Sequence, residues 1–224
     1  MSNMLGASKK SRKGFVLRCA ALTAGLMCNS FGVSLITKSA MGSPQVSSIP
    51  YVLSLYFTRL SFGAWTLIFN VLLVLMQIPL LRRDFRPVQL LQLVASLLFS
   101  VFIDGSMAIL SGFAPESLVA RLLSLVIGCC VLAFGINLEV APRLITVPGE
   151  GIVNALTQVT GRRFGSVKMA FDVSLIVLAA ICSMVLFGRL NGVGFGTLVS
   201  ALLVGRVVNL ISAHVPLIRR IREL

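Results

Sequence analysis

Four ionisable side chains lie inside, or near the end of, long apolar stretches of this chain: Asp104, Glu139, Asp172 and Arg206. A charge at the centre of a membrane costs about 2.5 kcal/mol or more, so such residues normally face a cavity, pair, or serve a function. The set could line a substrate-binding or gating pocket, or Arg206 could neutralise an aspartate as a structural brace. Both roles predict that Arg206 points inward, close to Asp104 or Asp172.

Two asparagines extend this set of candidates. Asn70 corresponds to Asp172, and Asn209 to Asp104, in the internal repeat described below. Each pair of repeat-related positions then holds one acid and one amide, which would suit an asymmetric polar pocket. The simpler alternative is that both amides bridge helices through hydrogen bonds.

Glu150 and Lys38 lie beside two turns that interrupt the apolar pattern. Glu150 could cap a helix that we expect to begin near Ile152, or it could serve as a gating or cation-binding carboxylate. For Lys38, snorkelling to the membrane surface is the simpler role and ligand contact the alternative. The helix-breaking residues of the two turns are Gly42, Pro44, Pro148, Gly149 and Gly151.

The residue pattern gives no support for an enzyme. The five cysteines lie in apolar stretches without a CxxC pair, and a lone histidine, His214, cannot complete a zinc site. No HExxH or GxSxG motif occurs, and Gly192, Gly194 and Gly196 precede an apolar span rather than follow a Rossmann strand. We therefore expect no catalytic activity, no metal and no cofactor.

Composition indicates that the main solvent of this chain is lipid. Of its 224 residues, 57% are hydrophobic and only 12% are charged, whereas soluble domains are about a quarter charged. The net charge of +13 could suggest nucleic acid, but the basic residues gather beside apolar spans, as topology signals do. These clusters are Lys9 with Lys10, Arg12 and Lys13; Arg82 with Arg83 and Arg86; Arg162 with Arg163; and Arg219 with Arg220 and Arg222.

Six segments are long and apolar enough to cross about 30 Å of hydrocarbon. We predict spans near residues 15–37, 63–81, 88–112, 118–140, 165–187 and 194–216. The intervals 38–62 and 141–164 are more polar and each predicts a short interfacial or re-entrant helix, over Ser47–Leu60 and Ile152–Thr160.

The chain also repeats itself. Phe31-Gly32 recurs as Phe134-Gly135, Phe62-Gly63 as Phe164-Gly165, and Phe69-Asn70 as Phe171-Asp172, all at offsets between 102 and 105 residues. Two homologous halves follow, at residues 15–112 and 118–216, with basic segments at 1–14 and 217–224.

Charge placement fixes the orientation of these halves. With both termini in the cytoplasm, every strong Lys/Arg cluster lies inside and Phe113–Ser117 lies outside. Eight spans would place Arg82–Arg86 outside, so we prefer six. Because three spans per half is an odd number, the fold class is an all-α integral membrane protein made of two inverted three-helix repeats, each with one short helix.

Several motifs resemble the YczE/YyaS/YitT family of bacterial membrane proteins. They include the segments Phe31–Pro44, Leu60–Gly63, Arg82–Pro87, Pro148–Gly151, Phe164–Lys168 and Leu202–Gly205. The resemblance implies a multi-pass protein of the bacterial cytoplasmic membrane, with a role in transport or in supporting the export of secondary metabolites.

The function that these observations favour is a small secondary transporter for an unidentified small-molecule solute. Two alternatives stay open: a non-transporting partner or regulator of another membrane complex, and the substrate-binding subunit of a multi-component transporter. The expected partners are the lipid bilayer, the solute, and a membrane protein or a second copy of the chain, but not nucleic acid.

The six-span topology predicts a labelling pattern. In intact cells, an impermeant thiol reagent should label a cysteine placed at Ser117 but not one placed at Ser11, because only Ser117 lies outside. The parent protein, with its five native cysteines, gives the background signal. The opposite pattern would end the six-span interpretation.

Overall fold

In the described part of the chain, eight α-helices account for nearly all of the secondary structure. A computed structural model describes residues 2–216, 218 and 221, with side chains from residue 14 onward. Arg219, Arg220, Arg222 and the side chains of the first basic cluster lie outside the described residues. The helices are α1 Ser2–Lys38, α2 Gln45–Tyr56, α3 Phe62–Leu81, α4 Leu91–Ile109, α5 Leu118–Val140, α6 Pro148–Thr160, α7 Phe164–Phe187 and α8 Phe195–His214.

Six of these helices are long and apolar enough to cross a membrane, namely α1, α3, α4, α5, α7 and α8. Large apolar side chains cover their outer surfaces, and Leu72, Val101 and Val177 are among the exposed ones. A surface of this kind is unstable in water but suits lipid. The chain is a multi-pass membrane protein, and the prediction of six apolar helices is confirmed.

Both short helices begin earlier than predicted. α2 starts at Gln45 and ends at Tyr56, and α6 starts at Pro148, so that Pro148–Gly151 forms its first turn rather than a turn before it. The residues before them, Pro44 and Val147, share the same extended backbone, with ψ of 152° and 153°. Pro148 occupies the first position of α6. Proline suits this position because an N–H group there would have no hydrogen-bond partner within the helix.

Glycines allow α1 and α5 to pack backbone against backbone at the centre of the fold. A Cβ atom on Gly25 would lie 2.5 Å from the backbone nitrogen of Glu139, and one on Gly32 would lie 2.5 Å from that of Leu132. Real Cβ atoms do not approach other heavy atoms so closely, so only glycine fits at these positions. Small residues of this kind let transmembrane helices come into close contact.

The register of this contact is antiparallel. As residue numbers rise along α1 they fall along α5, in the pairs Gly25 with Glu139, Asn29 with Gly135, Gly32 with Leu132, and Ile36 with Gly128. Gly25 and Gly128 are 103 residues apart, as are Gly32 and Gly135. Each of the two glycines on α1 therefore has a counterpart on α5, and the two helices contact each other through equivalent surfaces.

Contacts among the other helices also recur in equivalent pairs. α2 of the first half packs on α7 of the second, and α6 of the second half packs on α3 of the first. Likewise α4 packs on α1, and α8 on α5. Even an unusual backbone conformation recurs, because Ala40 after α1 and Arg143 after α5 have positive φ angles of 57° and 52°. The repeat seen in the sequence is thus a repeat of helices and of contacts.

The short helices lie at opposite ends of the bundle. The ring of Tyr51 in α2 contacts Phe62 at the start of α3, with ring centroids 5.2 Å apart. Gln158 in α6 donates a hydrogen bond of 3.1 Å to Asp84, just after the other end of α3. We name these two regions the α2 end and the α6 end.

One pair of contacts breaks the equivalence of the halves. α3 and α4 pack closely, with Gly63 against Ser100 and Asp104, whereas α7 and α8 have at most a marginal contact. A Cβ atom on Gly165, the counterpart of Gly63, would meet nothing within 4 Å. An open groove along α7, at Gly165, Met169 and Val173, lies where the equivalent helix would pack.

The glycine contact predicts a sharp difference between two substitutions. Gly32→Ala should lower the thermal unfolding temperature and the yield of folded protein, because overpacking costs about 1–3 kcal/mol. Gly205→Ala should not, since a Cβ atom there meets nothing within 4 Å. Size-exclusion profiles and unfolding curves in detergent measure both. Equal tolerance of both changes would contradict the close packing of α1 on α5.

Candidate functional site

A cavity of about 510 Å³ opens at the α2 end. Its wall comes from the end of α1 with the following turn at residues 37–42, from Tyr51 and Leu55 of α2, and from the α4–α5 loop at 113–116. Arg121 of α5 and the α7–α8 loop at 190–194 complete the wall. Pockets of 300–1,000 Å³ typically hold small molecules, so the volume suits such a ligand.

Hydrogen bonds between the two halves hold the floor of this cavity. The Ser43 hydroxyl donates to the carbonyl of Gly192 at 2.9 Å, and the Ser43 amide donates to the Thr197 hydroxyl at 3.2 Å. The Gly196 amide donates to the carbonyl of Met41 at 2.8 Å. Gly42 and Gly192 have φ angles of 135° and 79°, which favour glycine. Gly192, Gly194 and Gly196 therefore belong to a tight turn at the start of α8 that packs against the turn after α1.

Three charged side chains line the cavity: Lys38, Arg121 and Glu116. The Nε group of Arg121 donates to the carbonyl of Pro115 at 3.1 Å, which orients the guanidinium group. Lys38 is half-buried at the last position of α1. Its side chain lines a binding-sized cavity, so ligand contact, the alternative to snorkelling, has structural support.

Tyr51 gives the cavity wall an aromatic and a polar group. Burial raises the pKa of its hydroxyl above the ordinary value of 10.0. The phenol therefore keeps its proton at physiological pH and can donate a hydrogen bond into the cavity.

A second polar group lies toward the α6 end. Glu139 is 3% exposed and accepts a hydrogen bond of 2.8 Å from the side chain of Asn29 on α1. It lies within electrostatic range of Glu150, which in turn interacts with Lys168. Lys168 forms an ion pair with Asp172, at 2.6 and 2.8 Å from its two oxygens. The fold thus brings together three of the predicted site residues, Glu139, Glu150 and Asp172.

Glu150 lies in the first turn of α6 and does not cap it through a side-chain hydrogen bond. Burial raises the pKa of its carboxyl above the ordinary value of 4.5, and the nearby Lys168 lowers it in part. A carboxylate in the first turn suits the positive end of the helix dipole, so the capping and gating roles both stay predictions. A half-buried carboxyl group with a raised pKa suits proton binding or release.

Asp104 belongs to neither polar group. Its carboxylate accepts hydrogen bonds from the Gly63 amide at 2.8 Å and from the Ser61 hydroxyl at 2.6 Å. Ser61 in turn accepts a bond of 3.0 Å from the Ala64 amide. Asp104 therefore joins α4 to the N-terminus of α3, where a negative charge is stabilising.

The prediction that Arg206 points inward to pair with an aspartate is wrong. Arg206 and Asn209 are exposed on α8, and Asp172 pairs with Lys168 instead. The reason is the separation of α8 from α7, which leaves this face of α8 without the contact that α4 makes with α3. Asn70, the counterpart of Asp172, is buried in α3, whereas Asn209, the counterpart of Asp104, is exposed.

The helix-breaking residues have clear packing roles. Gly151 faces two buried glutamines, Gln77 and Gln92, whose side-chain amides exchange two hydrogen bonds of 3.2 Å. A Cβ atom at Gly151 would lie 2.5 Å from Gln92. The remaining members of the set are buried, namely Gly42, Pro44, Pro148 and Gly149.

Sequence reasoning missed Arg121, Glu116, Asn29 and Lys168 as site residues. The sequence does contain a signal for Arg121. This cation lies just after Phe113–Ser117, the segment that the charge distribution places outside the membrane. An arginine there departs from the cytoplasmic bias of basic residues. The sequence contains no such signal for Asn29, because a single amide in an apolar helix does not reveal its hydrogen-bond partner.

Comparison with known families gives one match. A family of unknown function, DUF6198, matches residues 16–213. No curated protein and no solved structure matches the chain. The match does not mention the YczE/YyaS/YitT family, so that resemblance stays a prediction.

The raised pKa of Glu150 predicts how stability depends on pH. A carboxyl group with a raised folded-state pKa contributes stability at low pH, and this contribution is lost as pH rises from about 4.5 through the folded-state value. Glu150→Gln should therefore unfold at a higher temperature than the parent at pH 8, with a smaller change between pH 5 and pH 8. Unfolding curves in detergent measure this.

Glu116→Gln, at an exposed carboxyl group, controls for the removal of one acid. The nearby ionisable groups Glu139, Lys168 and Asp172 stay in place in both variants. A Glu150→Gln protein that is less stable than the parent at pH 8 would contradict the destabilising burial of this carboxylate.

Proposed function

The chain belongs to the DUF6198 family, whose description assigns no function, and we propose that it is a small secondary transporter. Its cavity at the α2 end would bind the solute, and its two halves would form an inverted repeat in the cytoplasmic membrane. Transporters of this kind place the solute site between repeat halves and move one half against the other.

The antiparallel contact between α1 and α5 supports the inverted repeat. These helices begin the two halves, and antiparallel packing of equivalent helices requires the halves to point in opposite directions through the membrane. The positions of α2 and α6 at opposite ends of α3 agree with this arrangement. With the basic clusters in the cytoplasm, the α2 end faces outside.

The single observation that carries the proposal is that two equivalent regions differ. At the α2 end, Lys38 and Phe113 line the open cavity. Their counterparts at the α6 end are Ala141 and Ile218, which pack in one apolar cluster with Ile221. A cavity open on one side and filled on the other is what alternating access requires of one conformation.

The polar group at the α6 end suits a coupling role. Glu139 and Glu150 are acids within electrostatic range of each other, beside the Lys168–Asp172 ion pair. Two neighbouring acids in a low-dielectric site do not both ionise easily, so one proton can be held and released there. Proton binding at this group would give the transporter its energy source.

The alternative of a non-transporting partner protein has one observation in its favour. Arg206 and Asn209 are exposed in the span α8, and polar groups in a span normally face protein or water rather than lipid. Another membrane protein, or a second copy of the chain, could cover this face. On this alternative the cavity would be incidental.

Reconstituted protein separates the two functions. Liposomes that contain only this chain should exchange a solute across the membrane, and an imposed pH gradient should change the rate. Glu139→Gln with Glu150→Gln, in one folded protein, should remove the response to the pH gradient. Liposomes without protein give the leak rate. Folded protein that moves none of a broad solute panel, but co-purifies with one membrane protein, would favour the partner role.

The outward-open state makes a separate prediction. A cysteine at Ala114 should react with an impermeant thiol reagent from outside, because this residue lines the cavity and is exposed. A cysteine at Ile218, the fully buried counterpart of Phe113 at the α6 end, should react slowly in inside-out vesicles. Added solute should slow labelling at Ala114 and speed labelling at Ile218. Rates at both positions that never change with any solute would contradict alternating access.

A further inference from the structure

The charges around the cavity at the α2 end do not balance. Lys38 and Arg121 both line it, and Glu116 is the one carboxylate among its described lining residues. In the described part of the chain, no carboxylate oxygen lies within 4.0 Å of either cation. The cavity therefore has an excess of positive charge that is available to a ligand.

Two helix N-termini add to this positive potential. α5 begins at Leu118, between the lining residues Glu116 and Arg121, and α8 begins at Phe195, directly after the lining segment 190–194. Neither helix has an acid in its first turn. A helix N-terminus carries about half a positive charge. The C-terminus of α1 at Lys38 carries the opposite half charge, which the two N-termini together outweigh.

Apolar side chains form part of the rest of the wall, beside the polar residues Thr37, Tyr51 and Asn191. Leu55 comes from α2, Phe113 from the α4–α5 loop, and Leu190 with Val193 from the α7–α8 loop. Binding sites of this size usually combine apolar contact area with a few polar groups that fix the orientation of the ligand. Here the polar groups include two cations, Lys38 and Arg121.

We infer that this cavity binds a small organic anion with an apolar body, such as a carboxylate. Its negative oxygens lie against Lys38 and Arg121, and its hydrocarbon part packs on Leu55, Leu190 and Val193. Arginine suits this role because the bond from its Nε to Pro115 leaves the two terminal nitrogens for a carboxylate. This assignment rests on the proposed transport function and supplies its substrate class.

A cationic solute fits this site less well. Glu116 is exposed in the α4–α5 loop, so water screens its attraction for a cation. A cation would also face the like charges of Lys38 and Arg121. The wall therefore favours anions over cations of the same shape.

Three probes of nearly equal shape test the inference: 4-phenylbutyrate, 4-phenylbutyramide and 4-phenylbutylamine. We expect titration calorimetry of the purified full-length protein, in an uncharged detergent, to show binding of the carboxylate alone. Lys38→Met and Arg121→Met should each weaken it about tenfold, since a hydrogen bond to a charged group contributes about 1.5–3 kcal/mol. Arg83→Met, which removes an exposed cation far from the cavity, is the matched control and should bind like the parent.

Two further variants guard against loss of folding. Lys38→Arg and Glu116→Gln keep or raise the positive charge, so both should bind 4-phenylbutyrate at least as well as Arg83→Met does. Equal binding of all three probes, or parent-like binding by both methionine variants, would overturn the anion site. Binding of the carboxylate without transport of any solute would instead overturn the transport function and leave the anion site standing. Transport of neutral or cationic solutes only would overturn the anion site and leave the transport function standing.

Discussion

Close contact between the backbones of α1 and α5 is the constraint on which the rest of the fold depends. Without water to drive helices together, close packing at small residues is a main source of their affinity in lipid. Gly25 and Gly32 on one helix, with Gly128 and Gly135 on the other, bring the two chains together in one antiparallel register. That register sets the height of every other helix, because α4 packs on α1 and α8 packs on α5.

Both polar regions follow from this register. It brings Asn29 to the level of Gly135, within hydrogen-bond reach of Glu139 one turn further along α5. At the other end, the last residue of α1, Lys38, and Arg121 of α5 line the same cavity. The two halves contribute equivalent backbones but different side chains. One end of the bundle thus carries an acidic group and the other a basic cavity.

The architecture could be predicted from the sequence because hydrophobic length and repeat spacing are local signals. The six spans and the two short helices were found to within a few residues. The candidate site was found only in part. Glu139 and Asp172 were recognised as costly charges and Glu150 as a carboxylate beside a turn, but their neighbours depend on which helices touch. Arg206 was misplaced because its expected pairing assumed that α8 packs like α4, and nothing in the sequence of α8 reveals its separation from α7.

The inverted arrangement of the halves can be tested by cross-linking equivalent contacts from one side of the membrane. Tyr56 and Phe187 join α2 to α7, with ring centroids 5.5 Å apart, and Asp84 and Gln158 join the end of α3 to α6. Cysteine pairs are placed at these sites in a protein whose five native cysteines have been replaced. Intact cells are then treated with a thiol-reactive cross-linker. A permeant cross-linker should join both pairs, whereas an impermeant one should join only 56 with 187. Joining of both pairs by the impermeant reagent would place α2 and α6 on one face and contradict the inverted repeat.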